Sequence, residues 1–164
     1  MVCFSLGSNL GDRLGYLQKA VSSLKEILGK PVHMSSVYET EGWGVKDHPV
    51  YLNAVVCFKT TIPPEVVLEK ILTIEKGLGR VRITGAYETR TLDIDILFYD
   101  DLVVKKENLT IPHPLLKYRK FVLLPLSEIM GDYLHPELGV SINELLKSCE
   151  DSSAITKTDL SLID

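Results

Sequence analysis

Asp93 and Asp95 stand two residues apart in Arg90-Thr91-Leu92-Asp93-Ile94-Asp95-Ile96-Leu97-Phe98-Tyr99-Asp100-Asp101. Leu92, Ile94, Ile96 and Phe98 alternate with Asp93, Asp95, Leu97 and Tyr99, which predicts a period-two strand with one continuous apolar face. Side chains at i and i+2 of a strand point the same way about 6.5 to 7 Å apart, so both carboxylates can reach one cation or a pair of cations. Oxygen-only ligation suits Mg²⁺, which is usually held by one or two carboxylates with substrate phosphates completing its shell. Arg80, Arg82 and Arg90 precede the strand, and His113, Lys117, Arg119 and Lys120 follow it. Carboxylates for a metal beside guanidiniums for phosphate point to nucleotide chemistry. Asp-x-Asp alone is more often just the wet face of a strand; the basic residues on either side are what set this pair apart.

The elements that must position these residues read in order. Val2 to Leu6 is an apolar strand ending in the turn Gly7-Ser8-Asn9-Leu10-Gly11, which can cradle a ligand through backbone N–H groups or serve as a plain strand-to-helix turn. Asp12 caps a helix carrying Leu14, Leu17, Val21, Leu24 and Leu28 at helical spacing, stopped by Gly29. His33 to Tyr38 reads as a strand, and Glu39 to Val50 as a long loop holding Trp43, the sole tryptophan, in a position suited to a ligand contact. Tyr51 to Thr60 is a strand whose polar exception, Asn53, either bonds backbone or reads a heteroaromatic edge. Pro63-Pro64-Glu65 opens a second helix ending near Gly77 and Gly79, and Arg80 to Arg90 is a polar loop feeding the Asp-x-Asp strand.

Strand, helix, strand, strand, helix, strand predicts an α+β fold with a ferredoxin-like βαββαβ core, an antiparallel sheet with both helices on one face. Leu102 to Val104 reads as a short strand closing a hairpin through Asp100-Asp101. Tyr118 to Met130 and Ile142 to Ser148 read as C-terminal helical additions. Residues 1–149 form one domain, and 150–164 lose periodicity and are expected to be a tail open to motion.

Among 164 residues, 45% are hydrophobic and 24% charged, so a packed globular domain is expected. A net charge of −4 confines any anion site to the local basic stretch between Arg80 and Lys120 and argues against a nucleic-acid-coating surface. Cys3, Cys57 and Cys149 are odd in number and widely spaced, which is expected of reduced thiols in a cytosol. The longest apolar run, Phe121 to Leu126, is far short of a bilayer span, and no signal peptide is read.

Gly7-Ser8-Asn9-Leu10, Tyr51-Leu52-Asn53-Ala54, Gly79-Arg80-Val81-Arg82, Arg90-Thr91-Leu92-Asp93-Ile94-Asp95-Ile96, Pro112-His113 and Lys117-x-Arg119-x-Phe121-Val122-Leu123-x-Pro125-Leu126 occur in an order that resembles the 6-hydroxymethyl-7,8-dihydropterin pyrophosphokinase family. That resemblance implies a monomeric cytoplasmic enzyme of folate biosynthesis, partnered by neither nucleic acid nor membrane, that moves pyrophosphate from ATP to a pterin alcohol. It implies two Mg²⁺ on Asp93 and Asp95, with Arg80, Arg90 and Asp95 as catalytic residues. Gly7, Thr40, Trp43, Tyr51, Asn53 and Phe121 match the pterin pocket, Phe121 stacking on the ring. Glu75, Arg82, Ile96, Thr110, His113 and Arg119 match nucleotide contacts, and Tyr87 a loop contact.

Three places depart from that pattern. Tyr87-Glu88-Thr89-Arg90 stands where the family usually reads Trp-Gly-Pro-Arg, Pro114 replaces an aromatic, and Leu72 stands where a polar residue often faces the nucleotide. Two other classes compete: a metal-dependent phosphohydrolase using the acid pair on water, and a ferredoxin-like regulatory or RNA-binding module. The first has no use for Asn53 flanked by Tyr51 and Phe121, and the second none for paired metal carboxylates.

Overall fold

The computed structural model describes residues 1–41, 49–79 and 91–163. Its elements are β1 (Val2–Ser8), α1 (Arg13–Leu28), β2 (Pro31–Met34), β3 (Tyr38–Thr40), β4 (Tyr51–Phe58), α2 (Pro64–Gly77), β5 (Asp93–Tyr99), β6 (Val104–Lys106), β7 (Leu109–Ile111), α3 (Lys120–Met130), α4 (Ile142–Ser148) and β8 (Ile155–Lys157). A short 3-10 turn, Leu116–Tyr118, precedes α3.

Among the described residues, six strands make one antiparallel sheet in the order β5-β1-β4-β3-β8, with β2 also pairing β4. Strand order, with α1 and α2 sharing one face, is the ferredoxin-like arrangement expected from the alternation of elements. Phe4, Leu6, Ala54, Val56 and Ile94 pack on that face against Leu17, Val21 and Leu24 of α1 and Val67 and Ile71 of α2. Cys3, Val55, Cys57 and Leu97 pack on the other against Val122, Leu123 and Leu126 of α3 and Ile142 and Leu145 of α4. The sheet is thus sandwiched, and its core is split in two.

Local chemistry sets the helix ends. The Asp12 carboxylate accepts from Gly15 N at 3.0 Å, and α1 stops at Gly29, whose φ of 85° is costly for any residue with a Cβ. Pro64 and Glu65 open α2, where a missing N–H costs nothing and a negative charge meets the positive end of the helix. Ser141 and Glu144 form a reciprocal capping box on α4.

Five expectations need correction. The His33 to Tyr38 strand is two strands, β2 and β3, both borne on β4 and separated by residues 35–37. The short strand near Leu102 lies later, at Val104–Lys106, and pairs with β7 rather than folding back on β5. Alternation along β5 breaks at a bulge between Cys3 and Phe4 of its partner, so Leu97 and Phe98 both join the α3 face and Tyr99 returns to the other. Cys3 and Cys57 stand opposite each other in the β1–β4 register with Cα atoms 4.1 Å apart and form a disulfide, leaving Cys149 free. Finally, the segment expected to be a tail supplies β8 on β3, and Leu162 packs into the α1–α2 core.

Candidate active site

The cleft is built on the α3 face of three neighbouring strands. Gly7 of β1 pairs with Asn53 of β4 on one side and with Asp93 of β5 on the other. Strands lie about 4.8 Å apart, so Asn53 and Asp93 are separated by two strand spacings with a glycine between them. A Cβ on Gly7 would sit 3.0 Å from Asn53 Oδ1, and that oxygen occupies the space a side chain would otherwise fill.

Asn53 and Thr40 are both buried, and Asn53 Nδ2 donates to Thr40 Oγ1 at 2.6 Å. The bond satisfies one polar group with another and turns Oδ1 toward Gly7. Tyr51, half-buried, pairs with Thr40 across β4 and β3. Phe121, in the first turn of α3, carries the Arg119 guanidinium over its ring, 5.7 Å from the centroid.

Asp93 and Asp95 are half-buried on one face of β5, while Ile94 and Ile96 are buried on the other, as the alternation requires. Asp95 Oδ2 lies 3.6 Å from Arg119 Nη1 and 3.6 Å from His113 Nε2. His113 is fixed by its backbone N–H, which donates to Leu97 O on the outer edge of β5 at 3.0 Å. Its Nδ1 accepts from Leu115 N at 3.2 Å, so the neutral ring carries its proton on Nε2, the nitrogen on the Asp95 side. Burial first, then the Arg119 charge, push the imidazole pKa down to about 4, although Asp93 pulls it upward. His113 is therefore a neutral hydrogen-bond donor near pH 7.

Beside the acids a cavity of about 440 Å³ opens between α2, β5 and the segment from β7 to Arg119. Its walls include Ile96, Thr110 and His113 at the β5 side and Leu68, Ile71 and Leu72 on α2. Glu75 borders it too but is buried, and its Oε1 accepts from Ile94 N at 2.8 Å. That carboxylate fastens α2 to the free edge of β5. Among the described residues no group of three His, Cys, Asp or Glu gathers round one point. Two adjacent carboxylates facing a roomy cavity nonetheless fit Mg²⁺, whose remaining ligands are commonly phosphate and water.

The turn after β1 works through its side chains. Ser8 Oγ donates to Thr91 O at 2.6 Å at the entrance to β5, and Asn9 Nδ2 donates to Pro49 O at 3.4 Å. Arg13 Nη1 donates to Val50 O at 2.9 Å and pairs with Glu39 Oε2 at 3.0 Å. Sequence alone leaves this turn as a backbone cradle or a plain strand-to-helix turn, because hydrogen bonds this distant in sequence leave no periodic trace. Of the expected site residues, Gly7, Thr40, Tyr51 and Asn53 gather on the sheet beside Asp93, and Asp95, Ile96, Thr110, His113 and Arg119 gather round the β5 edge. Trp43, Arg80, Arg82, Tyr87 and Arg90 lie outside the described residues.

Comparison with known proteins bears on this arrangement. Residues 3–131 match the profile of the family described as 7,8-dihydro-6-hydroxymethylpterin-pyrophosphokinase. A protein of Aquifex aeolicus named 2-amino-4-hydroxy-6-hydroxymethyldihydropteridine pyrophosphokinase is 41% identical over 82% of this chain and 83% of its own length. Folic acid synthesis protein fol1 of Pneumocystis carinii is 39% identical over 92% of this chain, which spans only 20% of that longer protein. Among solved structures, wild-type HPPK-DHPS of Plasmodium falciparum with pteroate superposes with a TM-score of 0.73 at 19% identity, over 89% of this chain and 41% of that one. At that identity the likeness speaks for the fold.

Proposed function

The chain belongs to the 7,8-dihydro-6-hydroxymethylpterin-pyrophosphokinase family, and from that premise we propose that it transfers the pyrophosphoryl group of ATP to the hydroxymethyl oxygen of 6-hydroxymethyl-7,8-dihydropterin, releasing AMP, in folate biosynthesis. The observation that carries this reading is the Gly7 register. It sets an amide suited to a heterobicycle two strand spacings from the acid pair suited to a triphosphate, with β1 between them.

Asn53 reads the edge of the pterin with Oδ1, its Nδ2 being turned to Thr40. Phe121 stacks on the ring, and Gly7, having no side chain, lets Asn53 Oδ1 lie over β1 between the pterin edge and the acids. The adenine end of ATP enters the apolar part of the cavity along Leu68, Ile71 and Leu72, and the phosphates meet His113 and Arg119. Asp93 and Asp95 would hold two Mg²⁺, which when bound neutralise the triphosphate and make the β-phosphorus more electrophilic.

The hydroxymethyl oxygen forms a bond to the β-phosphorus as the bond from that phosphorus to the α–β bridging oxygen breaks, and AMP leaves with the bridging oxygen. Asp95 accepts the hydroxyl proton. Neutral His113 donates through Nε2 and Arg119 supplies a fixed cation, so charge that develops on the phosphates meets preorganised donors. No described helix is long and apolar enough to cross a membrane.

AMP formation from ATP and Mg²⁺, with and without the pterin alcohol, tests the reading. Pterin-dependent AMP is the expected result. ADP or inorganic phosphate released without pterin would overturn it in favour of a phosphohydrolase.

A further inference from the structure

Glu128 lies on α3, one side of the cleft, yet its carboxylate is spent on the strands of the other side. Oε2 accepts from Ser36 N and from Tyr38 Oη, each at 3.0 Å. Oε1 accepts from Ser36 Oγ at 2.7 Å and from Lys157 Nζ of β8 at 3.1 Å. Burial pushes the Glu128 pKa up, but the bonds from Ser36, Lys157 and Tyr38 outweigh it and hold the group ionised below the usual carboxylate range. Four donors on one carboxylate make a tie between a helix and two strands that apolar packing alone would leave free to slide.

What the tie connects is specific. Phe121 and Glu128 are seven residues apart on α3, so they share a helix face two turns apart, about 10 Å along the axis. Tyr38 and Thr40 are alternate residues of β3 and face the same way, and Thr40 takes the amide of Asn53. The aromatic wall and the polar floor of the slot are therefore carried by two separate bodies, α3 and the β4-β3-β8 edge. In that edge Tyr38 pairs with Lys157 and Thr40 with Ile155.

We propose that Glu128 is a positioning residue that sets the separation between Phe121 and the Thr40–Asn53 pair, and that through Lys157 the strand β8 belongs to the frame of the pterin slot. This rests on the pyrophosphokinase reading. Glu128 touches no substrate. It acts on pterin capture, while the α2 wall of the nucleotide cavity (Leu68, Ile71 and Leu72), on the far side of β1 from β3, is left alone.

The test compares the full chain with Glu128→Ala, Glu128→Gln, Tyr38→Phe and Lys157→Ala, reading KM for each substrate and kcat by AMP formation, and pterin Kd by calorimetry. Glu128→Ala should raise pterin KM and Kd about tenfold or more with ATP KM within twofold. Glu128→Gln keeps the shape and one acceptor oxygen and should recover most of the loss. Tyr38→Phe removes one donor without opening a cavity and should raise pterin KM about threefold to fivefold, and the solvent-facing Lys157→Ala about twofold to threefold. If Glu128→Ala does not fold, the Gln and Phe variants decide. Pterin and ATP constants that worsen in equal proportion, or pterin constants that stay at the parental value, overturn the inference. A parental chain that makes pterin-dependent AMP while its variants match it overturns this inference alone; one that neither binds pterin nor makes AMP overturns the functional reading with it.

Discussion

Asn53 donates its side-chain amide to Thr40 Oγ1 at 2.6 Å, and the bond decides which end of that amide meets the cleft. Thr40→Val keeps the shape and removes the acceptor, so a buried N–H loses its partner and the amide is free to rotate. Pterin KM should rise about tenfold with kcat and ATP KM little changed, as read from initial rates of AMP formation. An unchanged pterin KM would show that the amide is oriented by something else.

Asp95 projects from a half-buried face toward His113 and Arg119 rather than into either core. Asp95→Ala should therefore lower kcat by a factor on the order of 10² to 10³ or more while far-UV dichroism and the thermal midpoint stay near parental values. Near-parental turnover would mean that the metal and the proton are handled elsewhere.

His113 gives the metal-free protein an acid-side dependence whose sign is fixed. Its folded pKa, about 4, lies below the ordinary value of 6.5. Unfolded chains then bind the proton first, so this contribution is fully present above pH 6.5 and is lost as pH falls from 6.5 to 4. The loss amounts to about 2 to 3 kcal/mol across that window. Denaturant midpoints measured from pH 7 to 4 should show His113→Gln flatter than the parent. Parallel curves would refute the assignment.

Glu75 is fully enclosed, with Ile94 N donating to it at 2.8 Å. Glu75→Ala strands that backbone N–H at the free edge of β5 and should cost about 2 to 3 kcal/mol, lowering the thermal midpoint by about 4 to 12 °C. Scanning calorimetry settles it, and a shift under about 1 °C would show that water replaces the carboxylate at no cost.

Much of the cleft was legible because its key residues sit on regular elements. Alternation around Asp93 and Asp95 placed both acids on one face, and Asp12, Gly29 and Pro64 marked the helix ends they were expected to mark. What escaped depends on which strand lies beside which. The β5 bulge is imposed by the register with Cys3 and Phe4, and the opposition of Cys3 to Cys57 follows from the β1–β4 pairing. A three-residue strand such as β8 has too few positions to show a period, so only its partner β3 reveals it. Glu128 was likewise invisible. Its four donors come from Ser36 in the β2–β3 link, Tyr38 of β3 and Lys157 of β8, all remote in sequence, and on the helix it reads as an ordinary surface acid.

Gly7, drawn from the first strand, holds the middle place between Asn53 and Asp93, both supplied tens of residues later. During synthesis on the ribosome, β1 has no neighbour on its β5 side until that strand has emerged. A nascent chain that ends before β5 can pair β1 with β4 and β3 but lacks both acids, so recognition and chemistry meet only once β1 has its second partner. Sheet closure is a late, non-local event, and activity should emerge in a single step with it.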